Sequence, residues 1–290
     1  MYDFPFELDD FQKEACNCIS AGKSVVVCAP TGAGKTVIAE HAIHKALEEN
    51  KKVFYTTPLK ALLNQKYSDF SEKYGIDKVG LLTGDTSINR GAQIVVMTTE
   101  VFRNMLYGTN FGSVTDNLKD VRYVILDEVH YMNDEQRGTV WEESIIYCPT
   151  NVQIIALSAT VANADKLTEW INTVHSKTEL INTDFRPVPL RFYYFDSSQR
   201  DRLLPLLTPN GTLNKKIKPE KKEFHRGKPV QKKHVVKDVI RNLYNQDMLP
   251  AIYFTFSRKK CDEQMEKCAE LDLVTPSEKK EIQKIIDDYI

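Results

Sequence analysis

Short apolar runs alternate with amphipathic stretches over the first two-thirds of the chain. Residues 24–29 read Ser-Val-Val-Val-Cys-Ala and residues 94–98 read Ile-Val-Val-Met-Thr; residues 123–127 and 153–157 are of the same kind. Runs apolar at nearly every position predict strands buried on both faces, as in a parallel sheet. A further strand is expected over 52–56. Between the strands, apolar positions three and four apart predict helices over 11–19, 35–49, 59–74, 100–107, 139–147 and 164–172. Repeated strand–helix alternation, with right-handed crossovers, predicts one α/β domain over residues 1–184: a doubly wound parallel sheet with helices on both faces.

The pattern changes from Asp184. Pro187 and Pro189 exclude a helix interior there, and residues 191–195 form an aromatic strand candidate. Residues 207–231 are polar, Lys-rich and punctuated by Pro and Gly, which predicts a solvated connecting loop. A helix over 235–244, a buried strand over 251–256 and helices over 258–271 and 277–289 follow. The expected division is therefore a complete domain over 1–184, a connecting segment over 185–245, and the beginning of a second domain over 246–290. Only 40 residues remain from Ala251 onward, too few for a second parallel sheet with its crossovers.

Composition narrows the class. With 42% hydrophobic and 27% charged residues among 290, the chain has the mix of a globular protein rather than a disordered one. No apolar run reaches the length of a transmembrane helix, and the acidic, mixed N-terminus lacks the features of a secretory signal. No membrane partner is expected. The six cysteines are scattered with no C-x-x-C pair, as expected of reduced thiols in a cytoplasmic compartment. A net charge of −1 hides an asymmetry: residues 215–237 hold ten Lys or Arg against Glu220 and Glu223, leaving the rest acidic. The Lys-rich stretch could grip phosphates, but a soluble, charge-extended loop is the preferred reading.

The strongest chemical signal is Ala29-Pro30-Thr31-Gly32-Ala33-Gly34-Lys35-Thr36, placed between a predicted strand and a predicted helix. That context makes it a phosphate-binding loop, although Ala29 stands where the general pattern has its first glycine. Gly32 and Gly34 permit the tight path, and backbone N–H groups with the helix N-terminus hold phosphate oxygens. Lys35 would reach the β- and γ-phosphates and Thr36 would ligate Mg²⁺. Asp127-Glu128-Val129-His130 follows the apolar strand; Asp127 is placed to hold Mg²⁺ and Glu128 to orient or deprotonate an attacking water. ATP and Mg²⁺ are the expected cofactors. His41 and His44 at helical spacing read as a solvated face, and Trp141 as core.

These motifs resemble the superfamily two helicases. Asp127 to His130 is a DExH box, Ser158-Ala159-Thr160 follows a strand, and Phe6 to Gln12 looks like the adenine-reading motif of these enzymes. Thr57 to Leu62 with Asn64-Gln65-Lys66, then Thr83-Gly84-Asp85 and Thr98-Thr99-Glu100, resemble the nucleic-acid motifs. His130-Tyr131-Met132 and Arg137 to Glu143, with residues 185–190 and 252–258, are typical of the superkiller-like RNA helicase branch. The resemblance covers essentially the whole chain. It implies a RecA-like ATP-binding domain, followed by a linker and an incomplete second RecA-like domain. By the same resemblance Phe6 would stack on adenine and Gln12 bond its edge, within a nucleotide site formed by Thr31, Gly32, Ala33, Gly34, Lys35 and Thr36. Lys35, Asp127, Glu128 and His130 would carry catalysis. Ser158 and Thr160 would couple the γ-phosphate to the nucleic-acid face, or cap the next helix. Pro58, Lys60, Gly84, Thr99, Glu100 and Thr255 would line the nucleic-acid track. The implied partners are single-stranded or 3′-tailed RNA, an RNA-decay or processing complex, and the missing C-terminal helicase domain.

One departure stands out: no arginine-finger motif of the Gln-x-x-Gly-Arg-x-Gly-Arg type follows Ser257. Such arginines are worth about 10³–10⁵ in rate. The chain alone is therefore expected to bind ATP but hydrolyse it poorly and not unwind. The alternatives are a DNA repair helicase of a sister branch and a non-enzymatic ATP- or RNA-binding module.

Overall fold

The computed structural model describes residues 4–108, 117–135, 137–196, 202–217, 224–225, 228–229 and 236–289, and the chain divides into two compact units, Met1–Pro189 and Leu190–Ile290. The first unit is built on an eight-stranded sheet. Its strands in chain order are β1 (Ser24–Cys28), β2 (Lys52–Thr57), β3 (Val79–Leu82), β4 (Ser87–Ile88), β5 (Ile94–Thr98), β6 (Val121–Leu126), β7 (Gln153–Ser158) and β8 (Thr178–Asn182). They lie in the order β4-β3-β5-β2-β6-β7-β1-β8. Every neighbouring pair is parallel except β3 with β4. The expected RecA-like α/β fold is the one found.

Helices cover both faces of the sheet. α1 (Asp10–Ser20), α2 (Thr36–Glu48) and α3 (Lys60–Tyr74) pack on one face; α4 (Thr99–Leu106), α5 (Thr139–Ile146) and α6 (Ala164–Val174) pack on the other. The strand pleat explains why both faces need a cover, since successive side chains point to opposite sides. β1 sends Val25 and Val27 to the α1–α3 side and Val26 and Cys28 to the α4–α6 side, and β2 divides Val53 and Tyr55 from Phe54. Each such aliphatic side chain gains about 1.5–3 kcal/mol on full burial, so a run apolar throughout is stable only between two helix layers.

Parallel strands end at one edge of the sheet, where the loops of an α/β fold carry its chemistry. That edge holds residues 29–35 after β1, Pro58 after β2, Thr83 to Asp85 after β3, Thr99 and Glu100 after β5, Asp127 and Glu128 after β6, and Ser158 to Thr160 at the end of β7.

The structure departs from the sequence expectations at several places. β3 and β8 were not expected. The strand expected over 251–256 is absent: Ile252 is 82% exposed and Phe254 85%, and among the described residues no strand pairs with this stretch. An apolar run becomes a buried strand only where neighbours complete its hydrogen bonds. His41 does not lie on a solvated face. It is fully buried, its Nε2 lies 3.0 Å from Ser20 Oγ, and burial lowers its pKa to about 4. His44 is half-buried, its ring 5.2 Å from that of Tyr74. Trp141 is core, as expected, and all six cysteines are free thiols.

The second unit contains β9 (Tyr193–Asp196) antiparallel to β10 (Arg202–Pro205), a two-residue ladder of β11 (Phe224–His225) with β12 (Lys228–Pro229), and helices α7 (Val236–Asn245), α8 (Arg258–Cys268) and α9 (Pro276–Tyr289). Of the Lys-rich stretch, residues 218–223, 226–227 and 230–235 lie outside the described residues. Among the described residues, no helix is long and apolar enough to cross a membrane.

Candidate active site

The loop after β1 takes the path its glycines allow. Gly32 and Gly34 have φ of +84° and +86°, a region where a side chain is strained. Behind the loop, Gln12 is buried against it. Gln12 Nε2 donates to the carbonyls of Ala33 and Gly34, each at 3.3 Å, while Gln12 Oε1 accepts from Asp9 N at 2.9 Å as part of the α1 capping box. A Cβ on Gly34 would lie 2.7 Å from Gln12 Nε2. Gln12 therefore supports the loop, while Phe6 is half exposed and tilted against Phe4 at 5.5 Å.

Lys35 folds back on the loop, its Nζ donating to the carbonyls of Ala29 at 2.9 Å and Pro30 at 3.1 Å. Burial pushes its pKa down, and the charges of Glu128 and Asp127 oppose that shift. An ammonium whose partners are neutral carbonyls is poised to exchange them for phosphate oxygens. Thr36 is the first residue of α2.

Asp127 is fixed from two sides. Tyr55, buried in the sheet, donates its hydroxyl to Asp127 Oδ2 at 2.5 Å, and Glu128 N donates to Asp127 Oδ1 at 2.9 Å. Burial first, then Asp127, holds the Tyr55 hydroxyl well above the ordinary tyrosine range, so it remains a donor. Glu128 sits in the left-handed region at φ 56°, ψ 43°. Its carboxyl is raised by burial and by Asp127, and lowered by His130 and Lys35. His130 Nδ1 lies 3.2 Å from Glu128 Oε2 and 3.4 Å from Ala159 N. One imidazole thus touches both the loop after β6 and the loop after β7. His130 and Ser158 also share the wall of a cavity of about 270 Å³ with Lys166 and Trp170.

Ser158 is the buried last residue of β7 and Thr160 is exposed. Neither caps the following helix, because the N-cap of α6 is Asn163. Helix capping is therefore set aside for both.

The remaining strand ends form a second, adjoining surface. Lys60 pairs with Asp85 at 2.9 Å, and Thr83 Oγ1 donates to the same carboxylate oxygen at 2.7 Å; the Thr83 bond and then Lys60 hold the Asp85 carboxyl below its usual range. Thr98 caps α4 through Val101 N at 3.4 Å. Thr99 is fully buried, so its backbone, not its side chain, is the part that can meet a ligand. Gly84 has open space around it. Thr255 belongs to the second unit, where its Oγ1 lies 2.7 Å from Cys261 Sγ.

Two residues with no assigned role join the surface. Arg137 donates to the Glu100 carboxylate and, at 3.1 Å, to the Pro58 carbonyl, tying the ends of β2 and β5 together. Lys66, grouped by resemblance with a nucleic-acid motif, instead reaches Thr36 Oγ1 at 3.4 Å. Neither the reach of Lys66 to α2 nor that of Arg137 across strands has a signal in the spacing of residues along the chain.

Among the described residues, no cluster of three His, Cys, Asp or Glu side chains could hold a metal ion by itself. A threonine hydroxyl and one aspartate carboxylate nevertheless suit Mg²⁺, a hard cation bound through few protein oxygens together with phosphates and water.

Comparison with known proteins gives the family. A family model described as DEAD/DEAH box helicase matches residues 9–167. The chain is 41% identical to the chloroplastic DExH-box ATP-dependent RNA helicase DExH15 of Arabidopsis thaliana, over 99% of this chain and 28% of that protein. It is 42% identical to human Superkiller complex protein 2, over 97% of this chain and 24% of that protein. With human Exosome RNA helicase MTR4 it shares 39% identity, over 99% of this chain and 28% of that protein. The chain thus spans roughly a quarter to a third of the length of these relatives. A crystal structure of the DUF1998 helicase MrfA matches with a TM-score of 0.62 at 20% identity, over 97% of this chain and 42% of that one, a likeness of fold.

Proposed function

The chain belongs to the DEAD/DEAH box helicase family, and from that premise we propose that it is the ATP-binding part of an RNA helicase core. In this reading it binds ATP with Mg²⁺ at the loop after β1 and single-stranded RNA across the neighbouring strand ends. In the complete enzyme, hydrolysis there drives duplex unwinding. The carrying observation is the shared edge: the phosphate loop, the Asp127–Glu128 pair and the loops tied by Arg137 are strand ends along one edge of one sheet. The names of the 39–42% identical relatives support RNA as the nucleic acid and an RNA-processing complex as the setting. Free cysteines fit a reducing, cytoplasmic-type compartment.

The residues divide the work. Lys35 leaves the Ala29 and Pro30 carbonyls for the β- and γ-phosphates. Thr36 and Asp127 hold Mg²⁺, which when bound neutralises charge on the phosphate oxygens. Glu128 accepts the proton of the attacking water. Phe6 packs on adenine with Gln12 at its edge. His130, Ser158 and Thr160 relay the state of the phosphate site to Pro58, Lys60, Gly84, Thr99 and Glu100.

Fluorescence anisotropy with matched single-stranded RNA and DNA oligonucleotides tests this. RNA is expected to bind more tightly. DNA binding as tight or tighter would replace the RNA reading with that of a DNA helicase, and binding to neither would remove the nucleic-acid face.

Tyr55 gives a further test, because a hydrogen bond to a metal ligand tunes its affinity. Tyr55→Phe keeps the ring and removes the donor to Asp127. Mg²⁺ titrated at fixed nucleotide is expected to bind about 10–100-fold more weakly, with metal-free nucleotide binding unchanged. An unaltered Mg²⁺ titration would show that Asp127 does not depend on Tyr55.

A further inference from the structure

The chain leaving β8 runs directly past the phosphate loop. β8 lies parallel to β1 with Asn182 opposite Cys28, and the ladder continues one residue further, Thr183 N donating to Cys28 O at 2.9 Å. Phe185 N then donates to Thr183 Oγ1 at 3.1 Å. The next residue, Arg186, precedes a proline and so favours an extended backbone. Its Nη1 donates to the carbonyl of Thr31, in the loop itself, at 3.1 Å.

A guanidinium has five N–H donors in a planar fork that matches phosphate. The contact with Thr31 occupies one of them with a neutral acceptor, and among the described residues no carboxylate forms an ion pair with Arg186. Lys35 Nζ on the Ala29 and Pro30 carbonyls and Arg186 Nη1 on the Thr31 carbonyl thus engage consecutive residues of one loop. Two cations facing one loop repel each other, and a polyanion between them removes the repulsion and satisfies the remaining donors.

We propose that Arg186 is a further nucleotide-binding residue, whose guanidinium moves from the Thr31 carbonyl to the terminal phosphates beside Lys35 and biases the site toward ATP over ADP. The inference rests on the nucleotide-site reading above. It differs from a structural role, in which Arg186 only staples the segment after β8 to the loop.

Arg186→Gln separates the two roles, because a carboxamide can still donate to the Thr31 carbonyl but carries no charge. Binding of a non-hydrolysable ATP analogue and of ADP is measured by calorimetry, with thermal melting alongside. The variant is expected to bind the analogue about tenfold to a hundredfold more weakly, the range of a hydrogen bond to a charged group. ADP binding should change much less, and Arg186→Lys should retain most of the preference. Unchanged affinity for both nucleotides overturns the proposal. Equal losses for both, or losses in both variants with a lowered melting temperature, assign a staple and overturn it too. Lys35→Ala keeps the readings apart: if it also binds ATP normally, the nucleotide-site reading itself fails. If it loses ATP while Arg186→Gln does not, only the assignment of Arg186 fails.

Discussion

Replacing Glu128 with Gln is expected to slow ATP hydrolysis by about 10²–10⁴-fold, the usual contribution of a positioned general base, while ATP remains bound. The shape of the side chain is kept and only its basicity is lost. Its position is costly to maintain: a non-glycine residue at φ 56° stores about 1–3 kcal/mol of backbone strain. The strain is held by Glu128 N on Asp127 Oδ1 and by Tyr131 N on the Glu128 carbonyl at 3.0 Å, which starts the short 3₁₀ turn Val129–Asn133. The carboxyl is raised by burial and by Asp127. A base works only when deprotonated, so hydrolysis is lost as pH falls through this raised value, earlier than an ordinary carboxylate would require. Single-turnover hydrolysis at saturating protein, with single-stranded RNA present, reads this even where steady-state turnover is slow. The acid limb should vanish in Glu128→Gln. Hydrolysis within a few-fold of the unaltered chain would show that another group takes the proton.

His130 connects that chemistry to the next strand end. Its Nδ1 faces Glu128 Oε2 and the Ala159 N–H, and it cannot serve both at once. With a proton on Nδ1 the ring donates to Glu128; without one it accepts from Ala159. The proton position on a single ring therefore determines which of two loops His130 holds, one bearing the base and the other lying between Ser158 and Thr160.

The elements legible in the sequence are those whose signal is local. β1, β5 and β7 announce themselves because a central strand is apolar on both faces, and the phosphate loop because its glycines, lysine and threonine are contiguous. β8 was not legible: Thr178 to Asn182 lies at the sheet edge, where Glu179 is paired with Lys23 at 2.8 Å instead of being buried. β3 is four residues long and contains Gly80, whose missing side chain admits the Asn89 carbonyl; a Cβ would lie 2.3 Å from it. The apolar stretch over 251–256 misled for the opposite reason, since composition registers a strand but not its partners. At the site, the contiguous motifs were readable, whereas Tyr55, Lys66, Arg137 and Arg186 act on residues 30 to 155 positions away. No spacing in one sequence reports such contacts.

Gly138→Ala is expected to be among the most damaging single-methyl changes in the first unit. The new Cβ would lie 2.2 Å from the Met132 carbonyl oxygen and 2.8 Å from that of Asp134. Both are backbone atoms that no rotamer change can move aside. Gly138 N donates to the same Asp134 carbonyl at 2.8 Å, and the Gly138 carbonyl accepts from Trp141 N at 3.1 Å, so the glycine joins the 3₁₀ turn to α5. Relief requires α5 to shift, and with it Trp141, among the largest fully buried side chains. Overpacking of this kind costs about 1–3 kcal/mol or more, a fall of roughly 2–12 °C in melting temperature for a unit of this size. Gly91→Ala, where nothing lies within 4 Å of the added Cβ, should melt as the unaltered chain does. Function should suffer beyond stability, because Arg137 precedes Gly138 and holds Glu100 and Pro58. Moving the turn releases the ends of β2 and β5, so RNA affinity should fall even well below the melting temperature. A Gly138→Ala protein that melts normally would show that the turn yields easily, and that the close approach of Gly138 to Met132 does not brace the strand-end surface.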